Sequence, residues 1–271
     1  DLHSFPTRRS SDLVGERKST LLALFLALAF ILAPAAASAD MKPNEGYEPQ
    51  SRESLMRALE KAKKGNEYVK LIDSGKLEEA VKVMHQLYPE SKIDARAMAQ
   101  RGTISMTFYR QERYYYCCPA ACRSVLSARM SYPPSQQGLA FDLGTTTNGT
   151  NFGDNIPYAI NKNIPYTVGS GYELLWMYDS ATVLNNIRMD IDAGFGVVAN
   201  GTSYASGNGF HMEGYPQETI WHYVALYGYG NGGVYICDPA SGRSGYESVS
   251  LKYWLGNNSF IRFIQNRGII W

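Results

Sequence analysis

Apolar positions fall into three regimes along the chain, each with its own spacing. Leu21 to Ala33 is an almost unbroken apolar run behind Arg17 and Lys18, followed by Ala37-Ser38-Ala39 with small residues where a signal peptidase reads. The run is shorter than the roughly 20 residues that span a bilayer, and Pro34 breaks it. Export with cleavage after Ala39 is the expectation, leaving no stable membrane insertion.

From Asp40 to about Arg101 charged residues are dense and the apolar spacing turns helical. Ser51 as N-cap, with Leu55, Met56, Leu59 and then Tyr68, Val69 and Leu71, predicts one amphipathic helix or a broken pair. A second helix is predicted from near Gly75 through Leu77 to Met84, stopped by Pro89. Such a leader either masks a site until removed or caps the fold as a helical spacer.

From Ile104 onward aromatic-rich runs alternate with Gly and Asn turns. Ile104 to Tyr109 reads as a strand, Pro119 to Met130 as a helix with Pro in its first turn, and Asn155 to Lys162 as a second helix. Ala181 to Ala193 reads as a third helix, followed by a strand from Gly196 to Asn200. Tyr223 to Tyr229 and Val234 to Cys237 form a hairpin about Gly230-Asn231-Gly232-Gly233. Helices followed by an antiparallel sheet make an α+β fold.

Composition narrows the function by exclusion. The chain has Lys+Arg 26 and Asp+Glu 25, and removing Arg8, Arg9, Arg17 and Lys18 with Asp1, Asp12 and Glu16 leaves 22 of each after Ala39. A formally neutral chain without a basic run is not built to hold nucleic acid. No GxxxxGK[ST] stretch and no Cys or His cluster of zinc spacing occurs, so neither a nucleotide, a metal nor another cofactor is expected. His211 and Glu213, in the Gly-rich stretch Gly207 to Gly214, read as part of a flap near a cleft.

The cysteines point to chemistry. Of four, Cys117 and Cys118 are adjacent, Cys122 follows within about one and a half helical turns and only Cys237 is distant, a poor framework for two disulfides, although a Cys122 to Cys237 bridge stays open. Cys117 stands immediately before a predicted helix, where the positive end of the helix dipole favours a thiolate. Downstream come His222 and Asp238, at opposite ends of the hairpin's two strands and so at the same end of the sheet. A thiol, a base and a carboxylate that orients the base are the parts of a nucleophilic triad.

Together with these residues, the stretches Gln111 to Ala121, Ser135 to Ala140, Gly144 to Thr146, Asn148 to Thr150, His222 to Tyr229 and Asp238-Pro239 resemble the papain-like peptidases typified by the double-glycine leader peptidases of bacteriocin exporters. They look most like that family's free-standing, secreted bacterial branch. The resemblance covers about residues 104 to 267 and implies a papain-like fold. It implies Cys117 as nucleophile, His222 as general base and then acid, Asp238 as orienting carboxylate, and Gln111 as an oxyanion donor beside the Cys117 N–H. Where the family carries glycine, this chain has Cys118, which would be strained if positive φ were required.

Asp1 to Leu13 looks like the translation of a common sequencing-library adapter and is set aside. The expected organisation is thus an adapter-like artefact over 1–13, a signal peptide over 14–39, a helical leader over 40–103 and a peptidase domain over 104–271. The expected function is a secreted cysteine peptidase acting on extracellular peptide or protein. A non-catalytic papain-like binding module and a cell-wall peptide hydrolase are the alternatives.

Overall fold

The computed structural model describes residues 48–89, 102–164, 171–177, 179–205, 207 and 209–271. The adapter-like stretch and the signal peptide lie outside the described residues, as does the leader between 90 and 101. The described residues belong to one compact unit, Gly46–Trp271.

Chain order is α1 (Arg52–Asp73), α2 (Leu77–Leu87), α3 (Cys117–Leu126), α4 (Gln136–Asp142), α5 (Asn155–Asn161), β1 (Leu174–Trp176), α6 (Ser180–Ala193), β2 (Val197–Ser203), β3 (Ile220–Gly230), β4 (Gly233–Cys237), β5 (Lys252–Gly256), α7 (Asn257–Ile264) and β6 (Gly268–Ile270). The strands make one sheet, β1-β6-β2-β3-β4-β5, antiparallel throughout. This is the α+β architecture that the chain's patterning predicts.

Side-chain alternation sorts the sheet's residues into two cores. Val198, Ala225 and Cys237 pack with Cys118, Cys122 and Val125 of α3. Their neighbours Val197, Val224 and Ile236 pack instead with Phe260 and Phe263 of α7 and Ile187 of α6. The β3–β4 hairpin closes through Asn231 (φ 53°) and Gly232 (φ 73°), two left-handed residues whose twist matches the strands they join.

The leader helices are built into the same unit. Ser51 caps α1 as predicted, its hydroxyl accepting from the Ser54 N–H. Tyr68, Val83, Met84 and Tyr88 join the core that holds Cys122 and Val125, and Tyr88 stacks on Phe195 with centroids 4.7 Å apart. Lys61, 3% exposed, reaches Asp190 of α6 at 3.6 Å and donates to the Gly171 carbonyl at 3.0 Å.

The predicted strand at Ile104 to Tyr109 does not form. Ile104 N–H donates to the Tyr227 carbonyl and Thr103 bridges Gly228, but beyond them the amides of Thr107 and Tyr109 donate to Ser127 and Ser124 hydroxyls. Serine side chains take the hydrogen bonds that a neighbouring strand would supply, so the segment runs beside α3 without extending the sheet.

Candidate active site

α3 begins at Cys117, two residues before Pro119, whose missing N–H costs nothing in a first helical turn. Its N-cap, Tyr116, supplies no side-chain hydrogen bond, so the helix's first N–H groups stay oriented toward the thiol's end. Cys117 is 9% exposed, and Cys118 and Cys122 are fully buried. All four cysteines are free thiols, the Cys122 to Cys237 bridge is not made, and the sulfurs of Cys118 and Cys122 lie 3.9 Å apart. Cys118 lies within α3, and among the described residues the non-glycine with positive φ is Asn231, so a cysteine where the family carries glycine strains no backbone here.

The hairpin register sets the other two groups. Ala225 pairs with Cys237, so continuing the register places Asp238 opposite Val224, and His222 lies on the same side of the sheet. Their side chains meet: His222 Nε2 and Asp238 Oδ1 are 2.9 Å apart, with His222 4% and Asp238 0% exposed. Because Nε2 faces the carboxylate, Nδ1 is the nitrogen left for the thiol.

Burial disfavours charge on both members of this pair, yet neighbours overcome it. For His222, burial lowers proton affinity, but the Asp238 charge and hydrogen bond, with a hydrogen bond and charge from Cys117, raise its pKa to about 10. For Asp238, burial pushes upward, but His222, the Tyr215 hydroxyl and the Ala240 N–H hold it below the usual carboxylate value. The site is therefore built to carry an imidazolium beside a carboxylate, with a thiol in contact.

Asp238 is bonded all round. Oδ1 accepts from His222 and from Ala240 N–H (3.0 Å), while Oδ2 accepts from the hydroxyls of Tyr215 (2.7 Å) and Tyr253 (2.9 Å). Tyr215 belongs to the loop that contains the Gly-rich stretch, and its ring meets His222 edge-on at 5.6 Å. Neither tyrosine is identifiable from sequence spacing. Tyr253 shows itself only through the β4–β5 register, in which it pairs with Ile236, two residues before Asp238.

Gln111 is 7% exposed and close in chain to the helix start. Its backbone is tied to the turn after Asp238, N–H to the Pro239 carbonyl at 2.9 Å and C=O to Arg243 at 3.0 Å. Its side-chain amide donates to the carbonyls of Arg113 (3.1 Å) and Tyr114 (2.8 Å). That orientation is fixed, because exchanging O and N would set oxygen against two carbonyls. Gln136 clamps the same segment by donating to the Arg110 carbonyl and accepting from Glu112 N–H.

A cavity of about 460 Å³ lined by Arg57, Asp154, Tyr158, Lys162 and Glu173 shares no lining residue with this centre. Its charges are already used: Arg57 bonds Glu173, Asp154 accepts from Ser54, and Lys162 bonds Asp142. No group of three or more potential metal ligands occurs among the described residues.

The model of the family described as Peptidase_C39 like family matches residues 103–259, a span that contains Gln111, Cys117, His222 and Asp238. The chain belongs to the Peptidase_C39 like family. Membership makes it a cysteine-type peptidase by family and gives its helices and antiparallel sheet a papain-like reading. Helices α1 and α2 fall outside the matched residues.

Solved structures similar to the chain include a protein from Bacillus anthracis described as a C39-like peptidase, with 15% identity over 63% of this chain and 96% of that one at TM-score 0.44. Another is a double glycine motif protease from an AMS/PCAT transporter in complex with its leader peptide, with 18% identity over 63% and 92% at TM-score 0.39. Xylellain, a cysteine protease from Xylella fastidiosa, shows 11% identity over 65% and 87% at TM-score 0.44. No curated protein matches the chain.

Proposed function

We propose that the protein is an exported cysteine peptidase that hydrolyses extracellular peptides or proteins through Cys117, His222 and Asp238. The observation that carries this reading is the buried His222–Asp238 pair, whose Nε2 contact leaves Nδ1 for a thiol at a helix N-terminus. The Cys117 thiolate attacks the scissile carbonyl carbon, forming a C–S bond and an oxyanion. His222 passes its proton to the leaving nitrogen as the C–N bond breaks. It then takes a proton from water, whose oxygen attacks the acyl carbon and releases the thiolate.

The oxyanion is met by the Cys117 N–H and by the Gln111 amide, which exchanges its longer bond to the Arg113 carbonyl for the developing charge. On this reading the signal is cut after Ala39, and α1 and α2 remain with the catalytic unit. No described helix is long and apolar enough to cross a membrane.

Site-resolved mass spectrometry of iodoacetamide labelling between pH 5 and 8, on the full chain and on His222→Ala, tests the triad. Selective labelling of Cys117 at pH 5 to 6 that disappears in His222→Ala is the expected result. Equal labelling of Cys118 or Cys122, unchanged by the substitution, would replace the peptidase with a binding module. Gln111→Ala should keep that labelling while turnover of a peptide library falls by roughly 10²–10³, the usual cost of one oxyanion donor.

A further inference from the structure

The Asp238 carboxylate is completely buried and fully coordinated by donors from separate parts of the fold. His222 comes from β3, Tyr253 from β5, Tyr215 from the loop between β2 and β3, and Ala240 from the turn after β4. Tyr246 meets the Tyr215 ring at 5.1 Å, Cys237, the last residue of β4, adjoins Asp238, and Cys117 faces His222 from α3. An ionised carboxylate offers about four lone-pair sites, and here four donors fill them.

We propose that Tyr215 and Tyr253 are positioning residues of the catalytic centre: their hydroxyls hold Oδ2 of Asp238 and so keep Oδ1 on the His222 imidazole. The inference rests on the triad reading above. Terminal carboxylate torsions are broad, so a carboxylate held only at Oδ1, by His222 and the Ala240 N–H, can still turn about that oxygen. With two phenols on Oδ2, any rotation breaks two hydrogen bonds to a charged acceptor. Those same bonds stabilise the buried ion while His222 is neutral, after its proton has gone to the leaving nitrogen. Tyr215 adds an edge-on wall to the imidazole, which limits where that ring can move.

Phenylalanine keeps each ring and removes only the donor. Rates of iodoacetamide labelling at Cys117 are compared across pH 5 to 9 for the full chain and for Tyr215→Phe, Tyr253→Phe, the double variant, Tyr246→Phe and His222→Ala. Each melt is recorded to confirm cooperative folding. With the carboxylate less well held, the imidazolium is supported less, so the His222-dependent reactivity of Cys117 at low pH falls. Labelling at pH 5.5 should fall about tenfold in each single variant and further in the double one, the worth of one hydrogen bond to a charged group. Rates at pH 9 should converge on the parent's, and Tyr246→Phe should follow the parent throughout.

A displaced pH profile is not what loss of packing alone gives, since that lowers the melting midpoint at all pH values. Profiles of Tyr215→Phe and Tyr253→Phe that overlay the parent would overturn the positioning role while leaving the triad intact. A shift in Tyr246→Phe as large as theirs would overturn it too. Parent labelling that ignores His222→Ala would overturn the triad and the positioning role together. If one single variant does not fold, the other carries the same comparison.

Discussion

Two buried acid–base pairs in this unit lean in opposite directions. His222 and Asp238 are both shifted toward their charged forms, whereas burial lowers the Lys61 pKa and raises that of Asp190, against the pull of each on the other. Burial is the largest influence on all four groups, so the difference lies in coordination. Asp238 has four donors within 3.0 Å, and its histidine sits at 2.9 Å. Asp190 accepts from the Tyr88 hydroxyl, but its lysine stands 3.6 Å away over the rings of Tyr88, Tyr172 and Trp271. One pair is organised to sustain its charge, as the proposed peptidase reaction requires; the other clasps α1 to α6 and merely tolerates its charge.

The largest effect that would break this contrast is on catalysis. Cys117→Ala or His222→Ala should reduce peptide hydrolysis by on the order of 10⁴-fold or more, as loss of a triad member does elsewhere. Lys61→Ala should leave His-dependent labelling of Cys117 in place under conditions where the variant is folded. Loss of that labelling in folded Lys61→Ala would mean that the two centres are coupled.

Stability should respond the other way round. Lys61→Ala strands Asp190 in the core and should cost about 3–5 kcal/mol, measured by urea denaturation. Replacing the pair together, Lys61→Met with Asp190→Leu, should recover most of that loss, because apolar groups of similar volume carry no desolvation penalty. A double variant as weak as the single one would show that the clasp stabilises by its charge after all.

The pH dependence of stability sharpens the comparison further. The His222 contribution is fully present below its ordinary value of 6.5 and is lost as pH rises through about 10. The Asp238 contribution is present above 3.8 and is lost as pH falls through its depressed value. The deficit of His222→Ala relative to the parent should therefore be greatest between pH 4 and 6.5 and shrink toward pH 10. For Lys61 the sign reverses: the penalty for burying its cation is relieved as pH rises. Urea midpoints at pH 5.5 and 9.5 read both trends, and a constant His222→Ala deficit would remove the ionic account of the site.

What is legible in the sequence follows the range of the interactions. The Asn231-Gly232 turn is local, and the return of Asp238 toward His222 follows from that turn and the lengths of the two strands it joins. Helix α6 is equally readable, with Asp179 capping its start and Gly194 at φ 88° ending it. Tyr215 and Tyr253 are not, because their approach to Asp238 depends on a loop path and on the β4–β5 pairing. The Ile104 to Tyr109 run misleads because alternation reports an extended chain, not the partner that satisfies its amides. Helix α7 escapes the patterning, although Phe260, Phe263 and Ile264 carry helical spacing, since eight residues give little periodicity to read. The interval from Gln111 to Cys117 is visible in the chain; the carbonyls that hold the Gln111 amide are not.

The smallest predicted effect tests whether α1 belongs to the catalytic unit or only accompanies it. Gly65 lies inside α1, where alanine ordinarily adds up to about 1 kcal/mol of helix stability. Here a Cβ at Gly65 would stand 2.1 Å from Asn186 Oδ1 and 2.6 Å from its Cγ. Asn186 has little freedom to withdraw, since it donates to the Ala62 and Thr182 carbonyls and accepts from the Trp271 indole N–H at 3.0 Å. Gly65→Ala should therefore destabilise by about 1–3 kcal/mol, reversing the sign that helix propensity alone gives. Urea denaturation decides it: a stabilised variant would mean that α1 is not seated against α6 at Asn186, and the leader would again be a candidate for removal before catalysis.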